Sequence, residues 1–371
     1  MKLLEFAQGL MSPCLFYNAM RRIKALVHGD NFVLGGARHH LKWFADELGK
    51  HLIVNVEGVL GPRPDLGDVK ELTCLNRIVR WVDATSTTPT TIELEADPRH
   101  CDLILKDLNL LSSSAKGVTT PSVKPKDGFA GDPIPKSEVT SYRSTCMRIN
   151  YLAEDRPDIK YAGKEEARFM SEPTNIAADM VKRTGRYLKH RPRLVQCFPK
   201  QPYCTELQGL GDTNHAGCLR TRRSTTCAVM KYSGHTLKFS VTTQVPIGTS
   251  SGESEWYGTC KTVSLLMGGV SMAKDLGRDL FPIVFTDSTA ARGIGSRRGV
   301  GKVRHLETST LWVQKYVTDK RLRLAKRLGT ENEADLCTKD QDAATINKML
   351  NKMNYWFREG RAGASKALIA T

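Results

Sequence analysis

No apolar run in the 371-residue sequence approaches the roughly 20 residues that a helix needs to cross a bilayer. Residues 1–15 hold Glu5, Gln8 and Pro13 and no long apolar stretch, so they do not read as a secretory signal. No membrane partner is expected, and the expected location is intracellular, cytoplasmic or nuclear. The ten cysteines lie scattered from Cys14 to Cys337 with no CxxC pair, and the nine histidines form no HxxxH pattern. That argues against a structural zinc site and for reduced thiols packed as small hydrophobes. No internal repeat is visible. Negative charge is short: 39 Asp and Glu against 55 Lys and Arg leave a formal net charge of +16. Such a deficit favours polyanionic partners, nucleic acid first. Hydrophobic residues at 40% and charged residues at 25% suit a folded chain rather than collagen, a coiled coil or a disordered polymer. The length suggests two or three domains.

Ile23 to Val27, then His28-Gly29-Asp30-Asn31, then Phe32 to Leu34 reads as two strands joined by a tight turn. His40 to Leu52 carries Leu41, Phe44, Ala45 and Leu48 at helical spacing. Residues 112–141 are rich in Ser, Pro, Lys and Gly, show no period, and read as a linker. Helical patterning returns over 142–195, where six basic residues fall within the twelve from Lys182 to Arg193. Four of them, Lys182, Arg183, Arg186 and Lys189, are candidate phosphate contacts, although a charge run is also the ordinary mark of a solvated helix face.

From Thr205 the pattern becomes strand-rich. Thr205 to Gly211, Thr225 to Tyr232 and Thr236 to Thr243 read as strands, the last two joined at Ser233-Gly234-His235. Ser250 and Glu253 have capping-box spacing, and a helix follows on Trp256, Cys260, Val263, Met267 and Val270. Phe281 to Phe285 reads as a central strand buried on both faces. Leu306 to Val317 reads as helix, Arg321 to Leu328 as strand, and a last helix is expected to begin near Glu333-Ala334-Asp335. The order βββαβαβα predicts an α/β domain with a mixed sheet.

Four carboxylates stand out in this region. Asp212 ends or interrupts the first strand, Glu255 sits early in the capped helix, Asp287 follows the buried strand, and Asp335 opens the expected last helix. Each has a plain structural reading as a turn or helix-end residue. Together they offer hard oxygen ligands that suit Mg²⁺ or Mn²⁺, and two such ions about 3.5–4 Å apart would serve phosphodiester hydrolysis.

The matching segments are Asp212-Thr213-Asn214-His215-Ala216-Gly217, Arg222-Arg223-Ser224, Ser250-Ser251-Gly252-Glu253-Ser254-Glu255-Trp256-Tyr257, Thr286-Asp287-Ser288-Thr289-Ala290-Ala291, Arg304-His305-Leu306-Glu307 and Ala334-Asp335-Leu336-Cys337-Thr338-Lys339. In order and spacing this set resembles the ribonuclease H domain of copia-type retrotransposon Pol polyproteins. The resemblance implies a ribonuclease H-like mixed five-stranded sheet with flanking helices. It also implies a catalytic, metal-holding quartet of Asp212, Glu255, Asp287 and Asp335, with two Mg²⁺ or Mn²⁺ ions. Glu253 falls to capping, Asn214 replaces an Asp outside the quartet, and His305 reads as a structural histidine at a helix start. The glycine-punctuated loop adds Arg297, Arg298, Lys302 and Arg304 as candidate nucleic-acid contacts.

Upstream, Tyr142-Arg143-Ser144, Arg156-Pro157-Asp158-Ile159 and Arg186-Tyr187-Leu188-Lys189 resemble the thumb and connection of these polyproteins, and 13–48 resembles the end of a reverse-transcriptase palm. The palm turn, normally two aspartates, is Asp30-Asn31 here, a degenerate polymerase turn. The fingers and the earlier palm strand would lie before Met1, so the chain looks like the back half of a retrotransposon polymerase. The expected organisation is a truncated palm remnant at 1–111, a linker at 112–141, a helical thumb and connection at 142–200, a ribonuclease H-like domain at 205–345 and a basic tail at 346–371. The expected activity is two-metal hydrolysis of the RNA strand of RNA–DNA hybrids, with polymerase activity absent unless another chain supplies the missing parts. A decayed retroelement fragment that only binds nucleic acid is the alternative. Over 209–339 the sequence carries 20 Lys and Arg and 11 Asp and Glu, a net of +9 that both readings share.

Overall fold

The computed structural model describes residues 1–124 and 131–363. Residues 125–130 of the expected linker and 364–371 of the expected tail lie outside the described residues.

The N-terminal sheet is an antiparallel meander of β1 (Ala7–Gln8), β2 (Leu15–Asn18), β3 (Ile23–His28) and β4 (Asn31–Gly35). The β3–β4 hairpin closes on Gly29-Asp30, with Gly29 at φ +59°, a conformation open to glycine at no steric cost. Helix α1 (Arg38–Gly49) lays Leu41, Phe44 and Leu48 against Phe6, Ile23 and Ala25. A two-stranded parallel pair, β5 (Val59–Leu60) with β6 (Asp68–Val69), follows.

A second sheet joins distant parts of the chain. Its order is β16 (Tyr355–Arg358), β10 (Arg193–Pro199), β9 (Thr91–Glu95), β8 (Arg77–Val82), β7 (Glu71–Cys74). Charges bind the strands across it: Arg80 donates to Glu95 at 2.7 Å, Arg193 to Glu95 at 2.6 Å and Arg358 to Glu93 at 2.8 Å. Residues 346–358, expected in a basic tail, are thus helix and edge strand, because Tyr355 is buried in a shared core and Arg358 has an acidic partner.

Helices α2 (Pro98–Asp107), α3 (Lys136–Leu152), α4 (Pro157–Ala167) and α5 (Asn175–His190) pack around Cys101, Ile104, Cys146, Ile149, Ile159 and Leu188. Pro157 opens α4, where its missing N–H costs nothing. The segment expected as a linker is packed along α5: Arg183 donates to Thr120, Arg186 to the Lys116 carbonyl, and Lys189 to the Leu110 carbonyl.

The third sheet is the mixed five-stranded sheet expected for a ribonuclease H-like fold. Its order is β13 (His235–Thr243), β12 (Thr225–Tyr232), β11 (Glu206–Asn214), β14 (Phe281–Thr286), β15 (Arg323–Lys326). The first three strands pair antiparallel, and β14 runs parallel to both β11 and β15. Helix α6 (Ser251–Asp275) covers one face with Trp256, Val263 and Leu266, joined by α7 (Thr289–Gly295) and α8 (Trp312–Thr318). A Cβ at Gly258 would collide with the Thr213 hydroxyl, so this glycine lets α6 lie against β11. The other face is covered by the turn Glu333–Cys337 and by α9 (Ala343–Lys352).

Three expectations need correction here. The stretch 306–317 is not one helix: a 3₁₀ turn at Thr308–Thr310 precedes α8. The last helix does not begin near Glu333: those residues form a 3₁₀ turn, pinned to β11 because the buried Asn332 donates to the Gly211 carbonyl at 2.8 Å. The helix proper starts later, where Asp342 accepts from the Thr345 N–H at 2.8 Å. The capping box is also half of what its spacing suggests. Ser250 accepts from the Glu253 N–H at 3.2 Å, but the Glu253 carboxylate reaches the Thr249 N–H rather than that of Ser250.

Candidate metal centre

Parallel pairing explains why two aspartates meet. Leu210 of β11 lies opposite Phe285 of β14. Two residues further on stand Asp212, still in β11, and Asp287, just past the end of β14, so the shared register carries both to the same end of the sheet. Glu255 arrives from the first turns of α6, which is anchored there: Gln244 donates to the Ser254 carbonyl at 2.8 Å, and His215 and Ser224 bond the Ser254 hydroxyl at 2.9 and 3.0 Å. Carboxylate oxygens of Asp212, Glu255 and Asp287 lie within 4.8 Å of one another, the one such cluster of three among the described residues.

The fourth carboxylate stands differently. Asp335 sits on the 3₁₀ turn, not on a helix, and lines the same cleft without joining the cluster of three. Its Oδ1 pairs with Lys339 Nζ at 2.7 Å and its Oδ2 accepts from Gln341 at 2.9 Å. The turn is tied to Asp212 directly, since Thr338 donates its hydroxyl to Asp212 Oδ2 at 2.7 Å. Asn214 donates to the Thr338 carbonyl at 3.3 Å, so the residue that departs from the family pattern braces the turn. The cleft encloses about 510 Å³, with Thr213, His215, Gly329 and Thr330 among its other walls. Gly329 is small for a reason: a Cβ there would come within 2.8 Å of Asp287 Oδ2.

Burial, with Asp335 and Asp287 nearby, pushes the Asp212 carboxyl up to about 6 despite the Thr338 hydroxyl. Burial and the charges of Asp212 and Asp287 push Glu255 up to about 8, against one hydrogen bond from the Thr213 N–H. Both shifts come first from burial and then from the neighbouring negative charges. Hard carboxylate oxygens of this kind fit Mg²⁺ or Mn²⁺.

Glu253, two residues from Glu255, is built for a different purpose. It is only 3% exposed and accepts from the Thr249 N–H at 2.7 Å, the Thr249 hydroxyl at 2.8 Å and the Tyr257 hydroxyl at 2.9 Å. His305 approaches it at 3.0 Å and Thr249 at 2.8 Å. His305 lies in the loop before the 3₁₀ turn rather than at the start of α8, and fastens that loop to α6. Burial alone would raise the Glu253 carboxyl, but these hydrogen bonds outweigh it and hold the group below its usual range.

The basic candidates divide. In the loop after α7, Arg298, Lys302 and Arg304 are exposed, whereas Arg297 turns back onto the Val300 carbonyl. Upstream, Lys182 is exposed, while Arg183, Arg186 and Lys189 hold the 110–120 segment and so have a structural occupation. The exposed pair Arg222 and Arg223, on the β11–β12 connection, was not among the candidate contacts. Two adjacent arginines ten residues after Asp212 were the available signal.

No family model matches the chain. The retrovirus-related Pol polyprotein from transposon RE1 of Arabidopsis thaliana is 26% identical over 283 residues, covering 75% of this chain and 18% of the polyprotein. The corresponding polyprotein from transposon TNT 1-94 of Nicotiana tabacum is 23% identical over 361 residues, covering 91% of this chain and 25% of its own length. The curated homologues of this chain are copia-type retrovirus-related Pol polyproteins. The chain spans between 17% and 25% of the length of these Pol polyproteins. A solved structure, LC11-RNase H1 isolated from compost, is 17% identical with a TM-score of 0.27, covering 40% of this chain and 99% of its own. The fold reading rests instead on the strand order and register of the mixed sheet. Among the described residues, no helix is long and apolar enough to cross a membrane.

Proposed function

We propose that this Pol-like chain hydrolyses the RNA strand of RNA–DNA hybrids, using Asp212, Glu255, Asp287 and Asp335 to hold two Mg²⁺ or Mn²⁺ ions. The reading is carried by one observation: strand, helix and neighbouring strand bring three carboxylates within 4.8 Å of one another in a cleft whose wall supplies the fourth. Bound in that set, divalent ions supply a water of lowered pKa and positive charge opposite the scissile phosphate. The chain's own part is to hold its ligands still. Thr338 fixes one oxygen of Asp212, the Thr213 N–H steadies Glu255, and the Ser254 network fixes the turn of α6 from which Glu255 projects. Arg298, Lys302 and Arg304 on one loop and Arg222 and Arg223 on another offer positive charge for the backbone of a nucleic acid. The loop bearing Arg304 is fastened by the neighbouring His305 to Glu253, two residues from Glu255.

The test is a gel assay on matched substrates, with the RNA strand labelled in a hybrid, in single-stranded RNA and in duplex RNA. Cleavage should need Mg²⁺ or Mn²⁺, stop with a chelator and favour the hybrid. Binding of the hybrid with no cutting in either ion would instead support a retroelement fragment that holds nucleic acid without chemistry.

A further inference from the structure

The four acidic residues of the cleft are not equivalent. Among the described residues, Asp212, Glu255 and Asp287 converge with no lysine or arginine ion-paired to them. Asp335 already has a cation: Lys339 Nζ lies 2.7 Å from its Oδ1, while Gln341 fills its Oδ2 at 2.9 Å. Lys339 belongs to the same short segment as its partner, four residues on, and follows Thr338, whose hydroxyl holds Asp212. Its side chain lines the cleft and is 52% exposed, so its four-carbon stem has room to swing. Asp212, Glu255, Asp287 and Asp335 line that same cleft, so the ammonium stands beside the acidic set.

We propose that Lys339 is an internal counterion that competes with a divalent cation for Asp335. This rests on the functional reading above and deepens it. A first ion meets three carboxylates and displaces no ammonium. A second ion must take Asp335 from Lys339, so the two sites differ in affinity. The released ammonium then faces the cleft, where a phosphate of the substrate is the available anion. Lys339 thereby ties occupancy of the second site to the presence of nucleic acid.

The experiment is a Mn²⁺ titration of the full chain followed by electron paramagnetic resonance of the free ion, without substrate. The wild type should bind one ion tightly and a second more weakly. Lys339→Met should tighten the second site by roughly 3- to 5-fold, the upper part of the range for a partly exposed ion pair, and leave the first within about two-fold. Lys339→Arg should restore the weak second site. Hybrid affinity measured in Mn²⁺ should fall in Lys339→Met, because the cation freed for the phosphate is gone. Equal change at both sites would overturn the proposal, since general field effects would explain it. No change at either site, with one or two ions still bound, would overturn it while leaving the functional reading intact. Failure of both proteins to bind any Mn²⁺ would overturn both.

Discussion

The N-terminal meander and the mixed sheet each carry acidic residues in a pattern that suggests metal chemistry, and the structure treats them in opposite ways. Asp30 lies at the tip of a two-residue hairpin, exposed, beside Asn31, and among the described residues it belongs to no cluster of three potential metal ligands. Asp212 lies inside β11, next to a parallel strand that Asp287 directly follows, and near a helix that brings Glu255. A hairpin tip puts an acid in water, where it needs no partner. A parallel pair reached through a long helical crossover puts acids from distant parts of the sequence side by side, where they repel unless a cation joins them. Position in the topology, more than the presence of an Asp, separates a carboxylate cluster from a turn.

Substitution should break that contrast most sharply. Asp212→Asn or Asp287→Asn should lower Mg²⁺-dependent cleavage of a hybrid by at least about 10²-fold, with hybrid binding within a few-fold of wild type. Asp335→Asn should cost less, about 10-fold, because this group stands outside the cluster of three. Asp30→Asn should leave cleavage unchanged within about two-fold. A comparable loss in Asp30→Asn would mean that the two regions do not differ as described.

Glu253→Gln separates packing from chemistry within one helix turn. The buried carboxylate accepts three hydrogen bonds besides the His305 contact, so the amide should cost about 1–3 kcal/mol in urea denaturation. Cleavage per folded molecule should hold near wild type. An inactive, stable Glu253→Gln alongside an active Glu255→Gln would shift the functional glutamate by two residues.

Much of the mixed sheet was legible because its signals are local. The β-branched runs at 225–232 and 236–243, the Ser250 cap and the apolar stretch 281–285 each declare themselves within a few residues. The order of the carboxylates was legible too. What escaped depends on partners far away. The second sheet pairs β10 with β9 and β16, about a hundred residues before and 160 after it, and its strands carry buried Glu93 and Glu95 that only Arg80, Arg193 and Arg358 make tolerable. The 3₁₀ turn of Asp335 was read as a helix start because its shape is imposed by the Asn332 bond to β11. The basic face of α5 looked ready for phosphate because the segment it holds lies some seventy residues upstream.

The acid cluster has its own pH signature. The carboxyls of Asp212 and Glu255 rise from ordinary values of 3.8 and 4.5 to about 6 and about 8. Each therefore binds a proton more tightly folded than unfolded, and the folded state loses stability as pH climbs through that window. In chelator the melting temperature should fall between about pH 4.5 and pH 8, and Mg²⁺ or Mn²⁺ should restore most of it at pH 8. Asp30→Asn should leave this profile unchanged, and Asp212→Asn should flatten it.

The smallest expected effect is on binding. If 4–6 phosphates are contacted, the logarithm of hybrid affinity should fall against the logarithm of salt with a slope of roughly −3 to −5. Replacing Arg298, Lys302 and Arg304 together by Gln should reduce that slope by about 2–3, while Lys189→Gln should act on stability instead, through the 110–112 segment it holds.

One substrate can report on both regions at once: a long RNA template carrying a shorter DNA primer, with a separate label on each strand, incubated with the chain, Mg²⁺ and all four deoxynucleotides. The expected result is cutting of the RNA within the hybrid stretch and a primer of unchanged length, since the mixed sheet gathers its carboxylates and the Asp30-Asn31 turn does not. An extended primer over an intact RNA strand would contradict that assignment outright.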